Sequence, residues 1–191
     1  MDILRNIRLK RGKAILSKRM VSVKRSKFRG NIEDVKQIGI VWDASVVSDF
    51  EYLSIFYQTM QERGINVKII GYYPDKILPD RLTAIRFLTC LKKQDINFFF
   101  IPVSDEAEKF IKTPFDILID VNFNNVFPLQ YITAMSSASL KIGLYEGGTN
   151  AMVFDMMLDI SKKSKINDYL DHIVHYLEMI NTKSEIKNQQ I

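Results

Sequence analysis

The stretch FDILIDVNF, residues 115–123, decides the fold class of this chain. Its centre, residues 117–121, is apolar apart from Asp120, which is typical of a short strand buried on both faces. Helical patterns flank it at 104–111 and at 128–138. A strand between two helices at this spacing favours parallel strands joined by helical crossovers.

The alternation of strand and helix continues in both directions from this point. A helix is predicted at 48–64, with Ser48 as its N-cap and Gly64 as its C-terminal stop. Residues 81–101 fit either a helix or a short strand, and both alternatives stay open. The other predicted elements are strands at 37–43, 65–73, 140–146 and 152–160 and a closing helix at 166–180.

We therefore predict one α/β domain over residues 31–181, with a doubly wound, mostly parallel sheet that is Rossmann-like or flavodoxin-like. A basic N-terminal arm or helix, residues 1–30, precedes it, and a polar tail, residues 182–191, follows it. The 191 residues are 47% apolar and 26% charged, as in a globular domain. No run approaches the roughly 18 apolar residues that a membrane span requires.

The net charge of +5 conceals a strong asymmetry. Residues 1–30 hold eleven Lys and Arg against one acid, Asp2, which gives this segment a charge of +10. Residues 31–191 hold 16 basic and 21 acidic side chains, which gives a charge of −5. The chain is therefore an acidic domain that carries a strongly basic arm.

The arm has three interpretations. As a helix it places Leu9, Leu16, Met20 and Val23 on one side, which predicts packing on its own acidic domain. Its cations also suit the phosphates of structured RNA, or an anionic membrane surface. Because Phe28 is the one aromatic residue of the arm, a contact with the phosphate backbone is favoured over base reading. The cations assigned to a nucleic acid or other anion are Arg8, Lys10, Arg11, Lys13, Lys18, Arg19, Lys24, Arg25, Lys27 and Arg29.

Polar residues follow three of the predicted strands at their carboxyl ends. In an open parallel sheet the ligand crevice lies beyond these ends, where the winding reverses. We expect these residues to share one rim. The favoured interpretation is that they turn the chain into water, and the alternative is that the rim binds a nucleotide or sugar phosphate. The rim consists of Asp43, Ser45, Asp120, Asn122, Gly147, Gly148 and Thr149, with Asn124, Asn125 and Glu146 beside them.

No complete catalytic or cofactor motif occurs in the sequence. DASVVS, residues 43–48, stands where a dinucleotide site needs G-x-G-x-x-G, and there is no P-loop motif. His172 and His175 lie three apart on a predicted helix, too few for a metal site. Cys90 is predicted to be a buried thiol, and the aromatic run 98–100 to be core or a stacking platform. We therefore expect no cofactor and no metal.

Four segments carry a resemblance to known families: IGIVWD, GYY, FDILIDVNF…PLQYITAMSSASLKIGLY and DMMLDI…YLDHIVHYLEMIN. Over most of residues 1–181 the chain resembles a Bacteroidetes family of unknown function, which implies no activity. Residues 115–143 are also similar to the acceptor-side half of heptosyltransferase-like glycosyltransferases. That resemblance implies a Rossmann-like fold, but these enzymes bind nucleotide sugars with a second domain for which this chain has no room.

The functional expectation is a non-enzymatic domain that docks on an anionic macromolecule through its arm, with RNA or a ribonucleoprotein favoured over a membrane surface. The alternative is a small-molecule enzyme, or a domain that binds a phosphosugar or nucleotide. Because Cys90 is the one cysteine, we expect the cytoplasm. The Arg-rich start also fits an organellar transit peptide.

Overall fold

The computed structural model describes residues 2–145, 147, 152–159 and 165–180. The predicted polar tail, residues 182–191, lies outside these ranges. The helices are α1 (Asp2–Met20), α2 (Phe50–Glu62), α3 (Asp105–Lys112), α4 (Phe127–Met135) and α5 (Ile166–Met179). The strands are β1 (Gln37–Asp43), β2 (Asn66–Tyr72), β3 (Leu88–Leu91), β4 (Ile117–Val121), β5 (Leu140–Leu144) and β6 (Met156–Leu158).

The strands form one sheet in the order β3-β2-β1-β4-β5-β6, and every pairing is parallel. The chain builds outward from β1 to β3, returns to the other side of β1, and builds outward again from β4 to β6. The winding therefore reverses between β1 and β4, whose last residues are Asp43 and Val121. The prediction of a doubly wound parallel sheet is confirmed.

Helices cover both faces of the sheet. On one face, Ile40 and Trp42 of β1 share a core with α2 and α5. Val41 lies between them in sequence and packs on the opposite face, in a core with α3 and α4. This double coverage explains why the central strands are continuous apolar runs, since alternate residues enter different cores.

Two local predictions need correction or completion. Ser48 is not the N-cap of α2, because residues 47–49 form a 3₁₀ turn and the helix begins after Asp49. The segment 81–101 contains the short edge strand β3, and its aromatic run 98–100 lies in a turn. The side-chain oxygen of Asn97 closes this turn by accepting hydrogen bonds from two later backbone amides.

The arm begins with a long helix, α1, that packs outside α4 as a further layer. Its apolar side, formed by Leu9, Ile15 and Leu16, contacts a cluster that contains Phe127 and Tyr131 of α4. Leu9 and Leu16 of the predicted stripe are therefore covered by the domain, whereas α1 ends at Met20 and Val23 lies beyond the helix. In the described ranges no helix combines the length and the apolarity that crossing a bilayer requires.

Candidate ligand crevices and basic surface

Asp43 ends β1 and ties the two strands at the switch point together. One carboxylate oxygen accepts hydrogen bonds from the backbone amide and the hydroxyl of Ser45, at 3.1 and 2.6 Å. The other accepts a hydrogen bond from Nδ2 of Asn124, which follows β4, at 2.8 Å. These bonds hold a buried carboxylate in place and bring residues that follow different strands together.

Asp120 faces the layer formed by α3 and α4. Its carboxylate accepts a hydrogen bond from the Thr133 hydroxyl of α4 at 2.5 Å and another from the Asn122 amide at 2.8 Å. The Asn122 side chain in turn accepts from the Val126 amide at 2.9 Å and donates to the Val126 carbonyl oxygen at 3.1 Å. Both predicted rim residues thus position the loop that leads into α4.

Two crevices open at this edge of the sheet, separated by Asn125 and Phe127, which line both. Each has a volume of about 320 Å³, at the small end of the range for ligand sites. The β1 crevice is lined mainly by Arg5, Asp43, Ser45, Tyr72, Phe100 and Asn124. The β4 crevice is lined mainly by Lys13, Asp120, Asn122, Gln130, Thr133 and Phe154.

The predicted rim is therefore divided between two sites. Asp43 and Ser45 belong to the β1 crevice, whereas Asp120 and Asn122 belong to the β4 crevice. Gly147 is exposed and has a φ of 62°, as the turn prediction required. The other residues predicted after β5, Glu146, Gly148 and Thr149, lie outside the described residues.

Sequence reasoning missed that α1 supplies one cation to each crevice. Arg5 lines the β1 crevice, and Lys13, assigned only to an anionic macromolecule, lines the β4 crevice. The two residues are eight apart, with Leu9 between them, so all three lie along one edge of the helix. The spacing of these three residues in the sequence indicates a shared edge of the helix, but it does not indicate which surface of the domain that edge contacts.

Two arginines of the arm bind the domain close to α4. Arg8 donates from Nε to the carbonyl oxygen of Phe98 at 2.7 Å, and its guanidinium lies 4.4 Å from the ring centroids of Phe98 and Phe100. Arg19 donates to the hydroxyl of Tyr131 at 2.6 Å. The aromatic run 98–100 therefore serves as a platform for an arginine of the same chain.

Arg25 fastens the end of the arm to the sheet. It donates from Nε to the carbonyl oxygen of Ala138 at 2.8 Å and forms an ion pair with the carboxylate of Asp155. The same carboxylate accepts a hydrogen bond from the Lys141 backbone amide at 2.8 Å. Arg8, Arg19 and Arg25 are therefore engaged within the molecule.

The other seven cations assigned to an anionic partner are exposed. Of these, Lys10, Arg11 and Lys18 lie on the part of α1 that faces away from α4, and the rest lie elsewhere along the arm. No hydrogen bond or ion pair within the described part of the chain ties up these three side chains. The seven are Lys10, Arg11, Lys13, Lys18, Lys24, Lys27 and Arg29.

Lys141 is a buried cation that sequence reasoning overlooked. It lies within β5, is only 2% exposed, and donates from Nζ to the carbonyl oxygen of Ala134, in the last turn of α4, at 2.9 Å. Burial, with a smaller contribution from the nearby Arg25, lowers the pKa of Lys141 to about 7, while Asp155 opposes the shift. A lysine within an otherwise apolar strand was the signal in the sequence.

The lowered pKa predicts that the protein becomes more stable as pH rises above 7. The unfolded chain keeps Lys141 protonated up to its usual pKa of 10.5, so between these values it binds more protons than the folded protein. From pH 7 to about 8.5 the free energy of unfolding should rise by on the order of 1 to 2 kcal/mol from this group. Above that range the raised pKa of Cys90, about 11, acts in the opposite direction.

Urea unfolding across this pH range tests the prediction. The rise should disappear in Lys141→Met and persist in Lys68→Met, which removes an exposed lysine of β2. A rise of equal size in both variants would contradict the assignment.

The remaining chemical candidates are Cys90 and the two histidines of α5. The thiol of Cys90 is half-buried, and the high pKa that burial gives it disfavours the nucleophilic thiolate at neutral pH. His172 and His175 are exposed on α5. In the residues that the structure describes, no group of three or more His, Cys, Asp or Glu is placed to hold a metal ion.

Comparison with known proteins identifies a family without naming an activity. No curated protein matches the chain. The family of unknown function DUF6913 matches residues 6–180, which include all six strands and most of α1. The chain therefore belongs to DUF6913, a family of unknown function.

Proposed function

We propose that the protein is a cytoplasmic, non-enzymatic domain that docks on RNA or a ribonucleoprotein particle through the exposed cations of its arm. The observation that carries this proposal is the placement of α1. One side of the helix is packed on α4, and Lys10, Arg11 and Lys18 face outward. A helix fixed in this way loses little conformational freedom when its cations meet phosphates.

The charge distribution supports a partner that approaches from the side of the arm. The arm carries +10, and the rest of the chain carries −5. A polyanion is repelled by the acidic domain and attracted by the arm, so the charges orient the encounter as well as strengthen it.

The aromatic side chains near the arm favour contact with the phosphate backbone over base stacking. The rings of Phe98 and Phe100 both hold the Arg8 guanidinium. Phe28 packs against the domain core. Base-specific binding of single strands depends on accessible aromatic surfaces, and contacts within the chain cover part of each of these three rings.

A membrane surface is less well suited to this arrangement. An amphipathic helix binds a bilayer by burying its apolar side in the lipid, and the apolar side of α1 is covered by α4. The exposed apolar residues at the start of α1, Ile3, Leu4 and Ile7, suit contact with a protein component of a ribonucleoprotein particle.

Charge removal on α1 tests the proposal. In Lys10→Gln/Arg11→Gln/Lys18→Gln we expect the affinity for structured RNA to fall tenfold or more, with the log–log salt slope smaller by roughly one per lost contact. The matched control Lys68→Gln/Lys76→Gln/Arg81→Gln removes the same charge from exposed positions outside the arm and should bind as the unmodified protein does. Equal losses in the two variants, or binding to anionic vesicles without binding to RNA, would refute the proposal.

A second candidate function is binding of a phosphosugar or nucleotide, as the similarity to glycosyltransferase half-domains implies. The observation that favours it is the polar β1 crevice at the switch point.

A further inference from the structure

The β1 crevice lies where doubly wound sheets bind ligands, beyond the carboxyl ends of β1 and β4. Its volume of about 320 Å³ fits a compact ligand, whereas sites for dinucleotides need considerably more room.

Asp43 determines which chemical group of a ligand can bind beside it in the crevice. A carboxylate offers about four acceptor positions, and here three are taken by hydrogen bonds from Ser45 and Asn124. The remaining position suits a hydroxyl group of a ligand. A second anion beside this buried carboxylate is disfavoured by like-charge repulsion.

Arg5 supplies a positive charge where α1 lines the crevice. Its guanidinium is exposed and takes part in no hydrogen bond or ion pair with the described residues. Guanidinium groups bind phosphate in a planar, two-bond geometry. The rings of Tyr72 and Phe100 also line the crevice and offer apolar surface to a ring of a ligand.

The loop after β1 excludes the usual way in which such folds hold a pyrophosphate. Residues 43–48, DASVVS, contain no glycine, so the backbone offers no close approach to phosphate oxygens there. A phosphate in this crevice has to be held by a side chain, and among the described residues Arg5 is the cation that lines it.

We propose that the β1 crevice binds a phosphate monoester of a hydroxylated ring, either a sugar phosphate or a nucleoside monophosphate. Arg5 holds the phosphate, Asp43 accepts a hydroxyl hydrogen bond, and Tyr72 and Phe100 contact the ring. Such a ligand joins α1 to the sheet, so its binding also stabilises the docked position of the helix.

Calorimetric titration of the full chain with ribose 5-phosphate and with uridine 5′-monophosphate tests this site. Uridine and ribose, which lack the phosphate, and inorganic phosphate, which lacks the ring, serve as matched control ligands. At least one ester should bind at least tenfold more tightly than its phosphate-free counterpart and than inorganic phosphate. The better ester distinguishes a sugar phosphate from a nucleotide.

Two variants of α1 separate the site from general charge attraction. Arg5→Gln should weaken binding of the ester about tenfold or more, whereas Lys10→Gln, which removes the same charge from the outer side of the helix, should leave it within about twofold. Hydrogen exchange should show added protection of α1 amides when the ester binds. Absence of binding by both esters, or equal losses in the two variants, would overturn the proposal without bearing on RNA docking.

Discussion

Substitution of Gly12 by leucine is expected to release α1 from α4 and to destabilise the protein by about 1 to 3 kcal/mol. Gly12 is buried where the two helices meet. A Cβ atom at this position would lie 2.8 Å from the Phe127 ring and still closer to the carbonyl oxygen of Phe99. Because a backbone oxygen blocks the space, a rotamer change cannot relieve the clash.

The helix itself gains from the substitution, which makes the experiment more decisive. Leucine has a higher helix propensity than glycine by nearly 1 kcal/mol, so any loss of protection in α1 must come from lost packing. Hydrogen exchange should accelerate more in the α1 amides of Gly12→Leu than in the amides of the sheet, which exchange only through global unfolding. Ala14→Leu adds the same side chain at an exposed position of α1 and should behave as the unmodified protein does. Retained protection in Gly12→Leu would contradict the docked position of the helix.

The central strands were predictable because their burial leaves a direct mark on the sequence. A strand covered on both faces is a short apolar run, and residues 37–43 and 117–121 have that form. The edge strand β3 pairs with β2 alone and is largely half-buried, so it carried a weaker pattern. Residues 88–91 form a strand because they pair with β2, and β2 lies outside the segment 81–101 whose pattern was ambiguous.

The start of α2 shows why a predicted cap can lie before the true start of a helix. Ser48 has the residue type and spacing of an N-cap, but residues 47–49 form a 3₁₀ turn, and the α-helix begins after Asp49. Short 3₁₀ turns are frequent at helix N-termini, and the spacing of polar residues does not show where such a turn passes into the α-helix.

The sequence predicted where the candidate site lies, but not that the predicted rim is divided between two crevices. Asp43 and Asp120 both lie at carboxyl ends of central strands, as the rim prediction required. Asp120 faces α4, however, and its carboxylate bonds to Thr133, which places it in a different crevice from Asp43. The contribution of Arg5 depends on where α1 docks, and that position is set by contacts remote in sequence.

The largest expected effect is the response of RNA binding to salt. Each lysine or arginine that neutralises a phosphate releases condensed counterions, and the released ions make the association constant fall as salt rises. Besides Arg8, Arg19 and Arg25, which are engaged within the molecule, the arm presents eight exposed cations, including Arg5. If about six of these eight contact phosphates, affinity should fall on the order of a thousandfold between 50 and 200 mM salt.

Measurement of the association constant of the unmodified protein for a structured RNA, over this range of salt, tests the central claim most directly. We predict a straight line of log affinity against log salt with a slope of roughly −4 to −6. The acidic domain should contribute little to that slope, because its charge has the same sign as the RNA. An association constant that stays the same from 50 to 200 mM, or the absence of RNA binding at the lower concentration, would contradict the proposal that the basic arm docks the protein on RNA.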